Sequence, residues 1–247
     1  MTGFFMAWSM FLAIPCPVKK WDDAKRPQML AALPFVGLVA GAVWLAVYKL
    51  CDVLSLKVIG LALTAAAPWI VTGFMHLDGF LDCADAVLSF RDRERRIEIL
   101  KDSHVGSFAV ICMSILAIFT FAAWVQTGYR ANLFVLLFIP AVSRAMAAAC
   151  VLGFKPLGTS SYKKMSEEKR SKGPIVFCIM TAVVFCAAAV LLAGLQGIAV
   201  LVSAVCTLLT VLRIRANLGG MSGDISGCAI TTGEAFALIA LAITASV

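Results

Sequence analysis

The stretch His76-Leu-Asp-Gly-Phe-Leu-Asp-Cys-Ala-Asp85 sets the arrangement of the whole chain, because it places a group of acidic residues in an otherwise apolar sequence. In a helix, Asp78, Asp82 and Asp85 occupy positions i, i+4 and i+7 and share one face within roughly 60° of arc. Like charges at this spacing repel each other, and they repel more strongly where the dielectric constant is low. The carboxylates are therefore predicted to hold a cation, and oxygen ligands favour Mg²⁺ that keeps water and substrate phosphates.

Three neighbouring residues bear on this acidic face. Ser89 and Asp92 would continue it if the helix runs on to Asp92. Gly79 has no side chain, so it leaves room beside Asp78 for a bulky ligand or a second helix. The alternative interpretation is a solvated helix end at the membrane surface, where acidic residues are common.

The composition assigns the chain to the polytopic membrane proteins. It has 247 residues, of which 62% are hydrophobic and only 14% charged, and its mean hydropathy is +0.96. Apolar runs of about 20 residues, the length that crosses a bilayer, recur along it. We predict an all-α bundle that forms a single integral membrane domain over residues 1–247, with the lipid bilayer as a partner and a homo-oligomer left open.

The charge and the cysteines argue against other classes of protein. The net charge is +7, but the basic residues are spread over loops without an aromatic-interleaved patch, so we expect no nucleic-acid partner. The nine cysteines include no Cys-x-x-Cys pair, and most lie in apolar runs. They are predicted to be small buried hydrophobes rather than metal or redox groups.

Seven membrane spans are predicted from the apolar runs, at about residues 29–50, 55–75, 106–126, 131–153, 174–195, 197–213 and 225–247. The second span would lead directly into the aspartate stretch. Residues 1–18 lack a positively charged start and a small-residue cleavage site, so they are predicted to form a retained interfacial or re-entrant helix.

Seventeen of the 21 Lys and Arg residues fall in four alternate polar segments. The positive-inside rule therefore predicts that the N-terminus and the functional loops are cytoplasmic.

A glycine-rich motif, Gly219-Gly-Met-Ser-Gly-Asp-Ile-Ser-Gly227, precedes the last span. A turn of this kind leading into a helix can present N–H groups to a phosphate, which would be the function of Gly220 and Gly223. Asp224 is a further candidate metal ligand. The alternative is close helix packing, with Asp224 acting as an N-cap.

A third polar motif, Lys101-Asp-Ser-His-Val-Gly106, lies just before the third span. Lys101 offers a positive charge to phosphate, with Ser103 and His104 beside it, and Asp102 could be a metal ligand or a base. The alternative is a capping segment with Ser103 as N-cap.

Arg144 lies about 12 Å inside the fourth span, where a charge is costly, and we expect it to face an interior partner. That partner could be Asp224 or a substrate phosphate, unless Arg144 forms a structural ion pair. Glu234, deeper in the seventh span, poses the same question.

These motifs together resemble the cobalamin synthase family, the adenosylcobinamide-GDP ribazoletransferases of bacteria and archaea. The resemblance rests on His-Leu-Asp-Gly-x-x-Asp-x-x-Asp at 76–85, Lys-Asp-Ser-His-x-Gly at 101–106 and Gly-Gly-x-Ser-Gly-Asp-x-x-Gly at 219–227. Phe11 to Pro17 and Leu33 to Leu38 fit as well, so it covers nearly the whole chain. Departures from the family pattern are Ser222 where Thr is common, Ala86 where Gly is common, Ala13-Ile14 in place of Thr-Arg, and a shortened match at 155–158.

The resemblance implies that adenosylcobinamide-GDP reacts with α-ribazole, or its 5′-phosphate, to give the cobalamin or its phosphate and GMP. It implies Mg²⁺ as cofactor and a membrane location. Asp78 and Asp82, with Asp85, would hold the metal at the pyrophosphate, and Asp85 or Asp102 would take the proton of the attacking hydroxyl. The basic residues available to hold phosphate oxygens are Arg93, Arg95, Arg96, Lys101 and Arg144.

Two other functions remain open from the sequence. A CDP-alcohol phosphotransferase uses related Asp-Gly-x-x-Asp chemistry, but that family expects Ala-Arg where Asp82-Cys83 stands. A secondary cation transporter could use Asp78, Asp224 and Glu234, although the chain shows no internal repeat. Release of CMP would identify the first, and ion flux without a nucleotide product would identify the second.

Overall fold

The protein is described by a computed structural model that covers residues 2–158 and 172–246, and in these ranges it is built from helices. The helices are α1 Thr2–Phe11, α2 Arg26–Ala31, α3 Leu33–Val53, α4 Lys57–Val71, α5 Met75–Leu88, α6 Arg93–Ile99, α7 Ser107–Thr127, α8 Leu133–Gly153, α9 Lys172–Ala193, α10 Ile198–Leu218 and α11 Gly223–Thr244. Two short 3₁₀ turns precede α2 and join α9 to α10. The predicted all-α fold is confirmed.

Among the described residues, five helical stretches are long and apolar enough to cross a membrane, or six if α4 and α5 together count as one bent span. One of the five is the 47-residue stretch from Lys172 to Leu218. Large apolar side chains on α7 and α9 point outward, with Ile118 64% and Leu191 84% exposed, as expected of surfaces that face lipid. The polytopic membrane prediction is confirmed, while seven crossings remain a prediction.

The chain reverses direction inside that 47-residue stretch. Gly194 has a φ of +56°, and a Cβ at Gly197 would lie 2.5 Å from the carbonyl oxygen of Ala189. Cys186 Sγ lies 3.9 Å from the carbonyl oxygen of Val200, although 14 residues of straight helix would span about 21 Å. The helices α9 and α10 therefore form a hairpin, as the separate fifth and sixth predicted spans require.

A sharp bend of 88° separates α4 from α5. Gly73 and Phe74 both have positive φ, at +59° and +62°, a conformation that ends a right-handed helix. The second predicted span does lead into the aspartate stretch, but it does so through this bend, because α4 ends at Val71 and α5 begins at Met75. The bend turns α5 across the end of the bundle, where it packs mainly on α11 and α7.

The centre of the bundle is α8, which packs against α3, α9, α10 and α11. Trp44 and Trp124 pack edge to face nearby, with ring centroids 5.8 Å apart, and Trp44 donates a 2.8 Å hydrogen bond to the Thr64 carbonyl. The N-terminal helix α1 packs on α2 and α3 and buries Met6 completely. A helix was predicted there, although its placement in the membrane interface stays a prediction.

Candidate active site

The acidic helix α5 is packed directly against the start of α11. A Cβ at Gly79 would lie 2.7 Å from the carbonyl oxygen of Asp224 and 2.9 Å from its Cα atom. A Cβ at Gly227 would lie 3.1 Å from the Cα of His76. Glycine at these two positions lets the helix backbones touch, which brings the acidic stretch and the glycine-rich motif together.

Four carboxylates gather at this contact. Asp78 is exposed, and Asp82, Asp85 and Asp224 are half-buried. Partial burial opposes ionisation of Asp82 most strongly, and the negative charges of Asp78, Asp224 and Asp85 add to this effect. A bound cation would offset this repulsion. The predicted extension of the acidic face to Ser89 and Asp92 was wrong, because α5 ends at Leu88 and Asp92 is instead the N-cap of α6.

The donor set at this contact is made of oxygen atoms and carries several negative charges, as a hard divalent cation requires. Within residues 2–158 and 172–246, no three His, Cys, Asp or Glu side chains already converge on a common metal position. Mg²⁺ fits such a site, because it commonly binds through one or two carboxylates and completes its shell with water and substrate phosphates.

Asp85 has a structural role that the sequence did not reveal. Its two carboxylate oxygens accept hydrogen bonds from the backbone N–H groups of Gly106, at 2.6 Å, and Ala109, at 2.9 Å. These N–H groups at the start of α7 have no partner within the helix, so the Asp85 side chain caps α7 from another helix. Its negative charge also lies at the positive end of the α7 dipole. The alternative of Ser103 as N-cap was wrong, since the cap residue is Gly106. Catalysis or metal binding by Asp85 stays a prediction.

The glycine-rich motif forms the turn between α10 and α11. Gly219 has a φ of +80° and ends α10, and Ser222 caps α11 by accepting a hydrogen bond from the Ile225 N–H. The proposal that Asp224 is the N-cap was therefore wrong. The Ser222 hydroxyl also lies 3.3 Å from the Asp224 carboxylate, so it helps to fix the orientation of that side chain.

A backbone bridge joins this turn to the segment after α8. The N–H of Leu157 donates to the Met221 carbonyl at 2.8 Å, and the N–H of Met221 donates to the Lys155 carbonyl at 2.9 Å. A Cβ at Gly220 would lie 2.6 Å from the Leu157 backbone, so only glycine permits this approach. Gly220 is buried in this contact, while Gly223 is exposed at the first turn of α11. Phosphate binding by these two glycines stays a prediction.

Two arginines of α6 bind the end of α10. Arg93 Nε donates to the Leu218 carbonyl at 2.9 Å, and Arg96 Nη1 donates to Asn217 Oδ1 at 2.6 Å. Cations suit this position, because the last carbonyls of a helix carry a partial negative charge. The predicted phosphate-binding arginines therefore have protein partners and hold α6 beside the glycine-rich turn.

The segment from Lys101 to His104 is exposed at the same end of the bundle. Asp102 Oδ1 accepts hydrogen bonds from the His104 backbone N–H, at 3.0 Å, and from the His104 ring Nδ1, at 2.6 Å. These hydrogen bonds lower the pKa of Asp102 below its ordinary value, because they stabilise the carboxylate form. Lys101 and Ser103 present exposed side chains to solvent, as phosphate binding would require.

Arg144 forms an ion pair in the interior. Its Nη1 lies 2.7 Å from Glu234 Oε1, and the two side chains are 1% and 9% exposed. The Ser143 hydroxyl also donates to Glu234 Oε1, at 3.0 Å. The structure thus gives Arg144 a partner in place of Asp224 or a substrate phosphate. The two opposite charges pair with each other, as charged groups buried within a membrane bundle require.

The chain was compared with known proteins. A family model described as cobalamin-5-phosphate synthase matches residues 3–242. An adenosylcobinamide-GDP ribazoletransferase of Clostridium botulinum is 36% identical over 94% of this chain and 93% of its own length. The corresponding proteins of Clostridium perfringens and Geobacillus thermodenitrificans are 34% and 30% identical, covering 96% and 94% of this chain and 96% and 92% of their own lengths. No solved structure matches the chain.

Proposed function

The chain belongs to the cobalamin-5-phosphate synthase family, and from this membership we propose that it is an adenosylcobinamide-GDP ribazoletransferase of cobalamin biosynthesis. It would join adenosylcobinamide-GDP to α-ribazole, or to α-ribazole 5′-phosphate, and release GMP. The observation that supports this most strongly is the backbone contact between Gly79 and Asp224. Through it, the acidic stretch and the glycine-rich motif, about 140 residues apart in sequence, form a single site.

Asp78, Asp82 and Asp224 are the residues we propose to hold Mg²⁺. They come from the two helices that meet at Gly79, and their charges repel one another in the absence of a cation. When bound, the metal would supply a positive charge to the pyrophosphate oxygens of the donor substrate. Asp85 supports this site from behind, because its hydrogen bonds to Gly106 and Ala109 fix α5 against α7.

The transfer itself requires the chain mainly to position its substrates, since phosphoryl transfer depends on alignment and charge stabilisation. A hydroxyl oxygen of the ribazole forms a bond to the phosphorus that carries the cobinamide, and the bond from that phosphorus to the GMP oxygen breaks. Lys101, whose side chain is exposed, would bind phosphate oxygens. Asp102 would receive the hydroxyl proton, with His104 orienting its carboxylate. Because its pKa is lowered, Asp102 would be a weak base.

The membrane location follows from the same helices. We propose that the protein is a multi-pass protein of the cell membrane, with its N-terminus and the α5–α11 contact on the cytoplasmic side. The distribution of Lys and Arg supports this orientation. Fusion of a reporter enzyme after Lys19 and after Val53 tests it, because activity in the cytoplasm is expected only for the first.

The proposed reaction is tested by the products that the purified protein forms. Reconstituted protein is given adenosylcobinamide-GDP and α-ribazole, with and without Mg²⁺, and GMP and cobalamin are measured by chromatography. We expect metal-dependent GMP in equal amount to the cobalamin. Folded protein that forms neither product would refute the assignment, and CMP released from a CDP-linked donor would identify an alcohol phosphotransferase instead.

A further inference from the structure

A cavity of about 490 Å³ lies in the N-terminal segment, outside the carboxylate site. It is lined by the end of α1 and the connection to α2, from Ser9 to Trp21. Its volume is within the range of small-molecule sites in proteins, about 300–1,000 Å³. None of the residues given a role in the transfer lines it.

Hydrogen bonds hold the wall of this cavity in place. Trp8 Nε1 donates to the Ile14 carbonyl at 3.0 Å, and Cys16 Sγ lies 3.2 Å from the Val18 carbonyl oxygen. Ala13 N–H donates to the Val71 carbonyl at 2.9 Å, which ties the segment to the end of α4. Ordering a loop in this way costs conformational entropy before any ligand binds, and a preformed site then binds its ligand at a lower further cost.

The cavity carries an unbalanced positive charge. Lys19 and Lys20 both line it, are exposed and form no ion pair with any residue in the described ranges. The two acidic residues that follow are paired elsewhere: Asp22 with Lys25 at 3.1 Å, and Asp23 with Arg26 at 2.9 Å. Two lysines with no acidic partner are suited to an anion such as a phosphate.

Trp21 supplies an aromatic face beside these lysines. Its side chain is 52% exposed, which is unusual for the largest apolar residue, and it lines the same cavity. The indole Nε1 donates to Asp23 Oδ1 at 2.9 Å, so the orientation of the ring is fixed. A fixed, accessible indole can stack on a planar heterocycle, as aromatic side chains do on nucleic-acid bases.

The position of the cavity relates it to the carboxylate site. Ala13 is hydrogen-bonded to Val71. A Cβ built at Gly73, in the bend before α5, would lie 3.6 Å from the Ala13 Cβ. Phe11 stacks on His76 with ring centroids 6.2 Å apart, and His76 precedes Asp78 by two residues. The segment therefore reaches the first turn of the acidic helix.

We propose that this cavity binds the phosphate-bearing aromatic base of a substrate, with Lys19 and Lys20 on the phosphate and Trp21 stacked on the base. The inference rests on the proposed function, in which both substrates carry an aromatic base linked through ribose. The guanine nucleotide of the donor and α-ribazole 5′-phosphate share this chemistry. A phospholipid headgroup offers the phosphate without the base, and it would engage the lysines but not the stacking face.

The test is a binding measurement that requires no turnover. Protein in lipid nanodiscs is titrated separately with GMP and with α-ribazole 5′-phosphate by equilibrium dialysis, in phosphatidylcholine alone and with added phosphatidylglycerol. The variants are Lys19→Gln with Lys20→Gln, and Trp21→Leu. The matched control is Lys25→Gln, which removes one positive charge from the same segment.

We expect the lysine pair and the Trp21 variant each to weaken binding of one of the two probes about tenfold or more, in both lipids. The control should bind both probes as the wild type does. The probe that is affected identifies which substrate occupies the cavity. Unchanged affinity for both probes overturns the proposal, and so does a loss seen only with phosphatidylglycerol. If the Trp21 variant weakens probe binding but the wild type releases no GMP in the product assay, the proposed function is overturned and the binding site is not.

Discussion

Replacing Gly79 with alanine tests whether the acidic stretch and the glycine-rich motif act as one site. The added Cβ would lie 2.7 Å from the Asp224 carbonyl oxygen, whereas ordinary contact begins at 3.4 Å, so the helices must separate by about 0.7 Å. The clash is with backbone, so no side-chain rotation relieves it. We expect a stability loss of about 1–3 kcal/mol. A displacement of this size between reacting groups reduces turnover by about 10²-fold.

The assay is the initial rate of GMP release, measured together with the melting temperature in detergent. Two further glycines provide a graded control. Gly227→Ala places its Cβ 3.1 Å from His76 and should have a smaller effect. Gly153→Ala, whose Cβ would lie 4.0 Å from the nearest atom in the described ranges, on Ile175, should be close to wild type. A folded Gly79→Ala protein with wild-type turnover would contradict this prediction, because the separation of α5 from α11 would then have no effect on turnover.

Three further predictions concern single side chains. Asp82→Asn removes a proposed metal ligand and should lower Mg²⁺-dependent GMP release by about 10²–10³-fold, with little change in melting temperature. Arg144→Ala leaves the Glu234 carboxylate buried without a positive charge to pair with and should cost about 3–5 kcal/mol of stability, measured by thermal unfolding. Asp102→Asn should lower the rate only about tenfold, and by the same factor from pH 5 to pH 8. His104 lowers the pKa of Asp102, so that carboxylate is ionised throughout this range.

Glu98→Gln changes an exposed carboxylate paired with Arg95, and it should leave turnover unchanged where Asp82→Asn does not. Replacing both Arg144 and Glu234 with methionine removes both charges together and should recover most of the stability lost by Arg144→Ala. A rate for Asp102→Asn that approaches wild type as the pH falls from 8 to 5 would show that Asp102 titrates in this range, contrary to the effect of His104.

The helical architecture could be predicted from the sequence because each span is a local pattern. Apolar runs of about 20 residues placed α7 and α8 within two residues of their observed ends. The spacing of Asp78, Asp82 and Asp85 likewise placed them on one face of α5. The bend before α5 was missed, although Thr72-Gly73 interrupts the apolar run there and glycine readily adopts a positive φ.

The contacts between motifs could not be predicted, because they join residues far apart in the chain. No sequence period indicates that Asp85 caps α7, or that Arg93 binds the last carbonyl of α10. The interior position of Arg144 implied that it needs a partner, but it did not select Glu234 over Asp224. That choice depends on how far each residue lies along α11: Glu234 is ten residues, or about 15 Å, deeper than Asp224.

In the proposed mechanism, Asp224 and the aspartates of α5 hold one divalent cation. Titration of the purified protein with Mn²⁺, followed by electron paramagnetic resonance, tests it directly, since Mn²⁺ takes the same oxygen ligands as Mg²⁺. We predict one high-affinity site in the wild type that is lost both in Asp82→Asn and in Asp224→Asn, and kept in Glu98→Gln. Wild-type Mn²⁺ affinity in a folded Asp224→Asn protein would contradict this mechanism, because the metal would then be held without the glycine-rich motif.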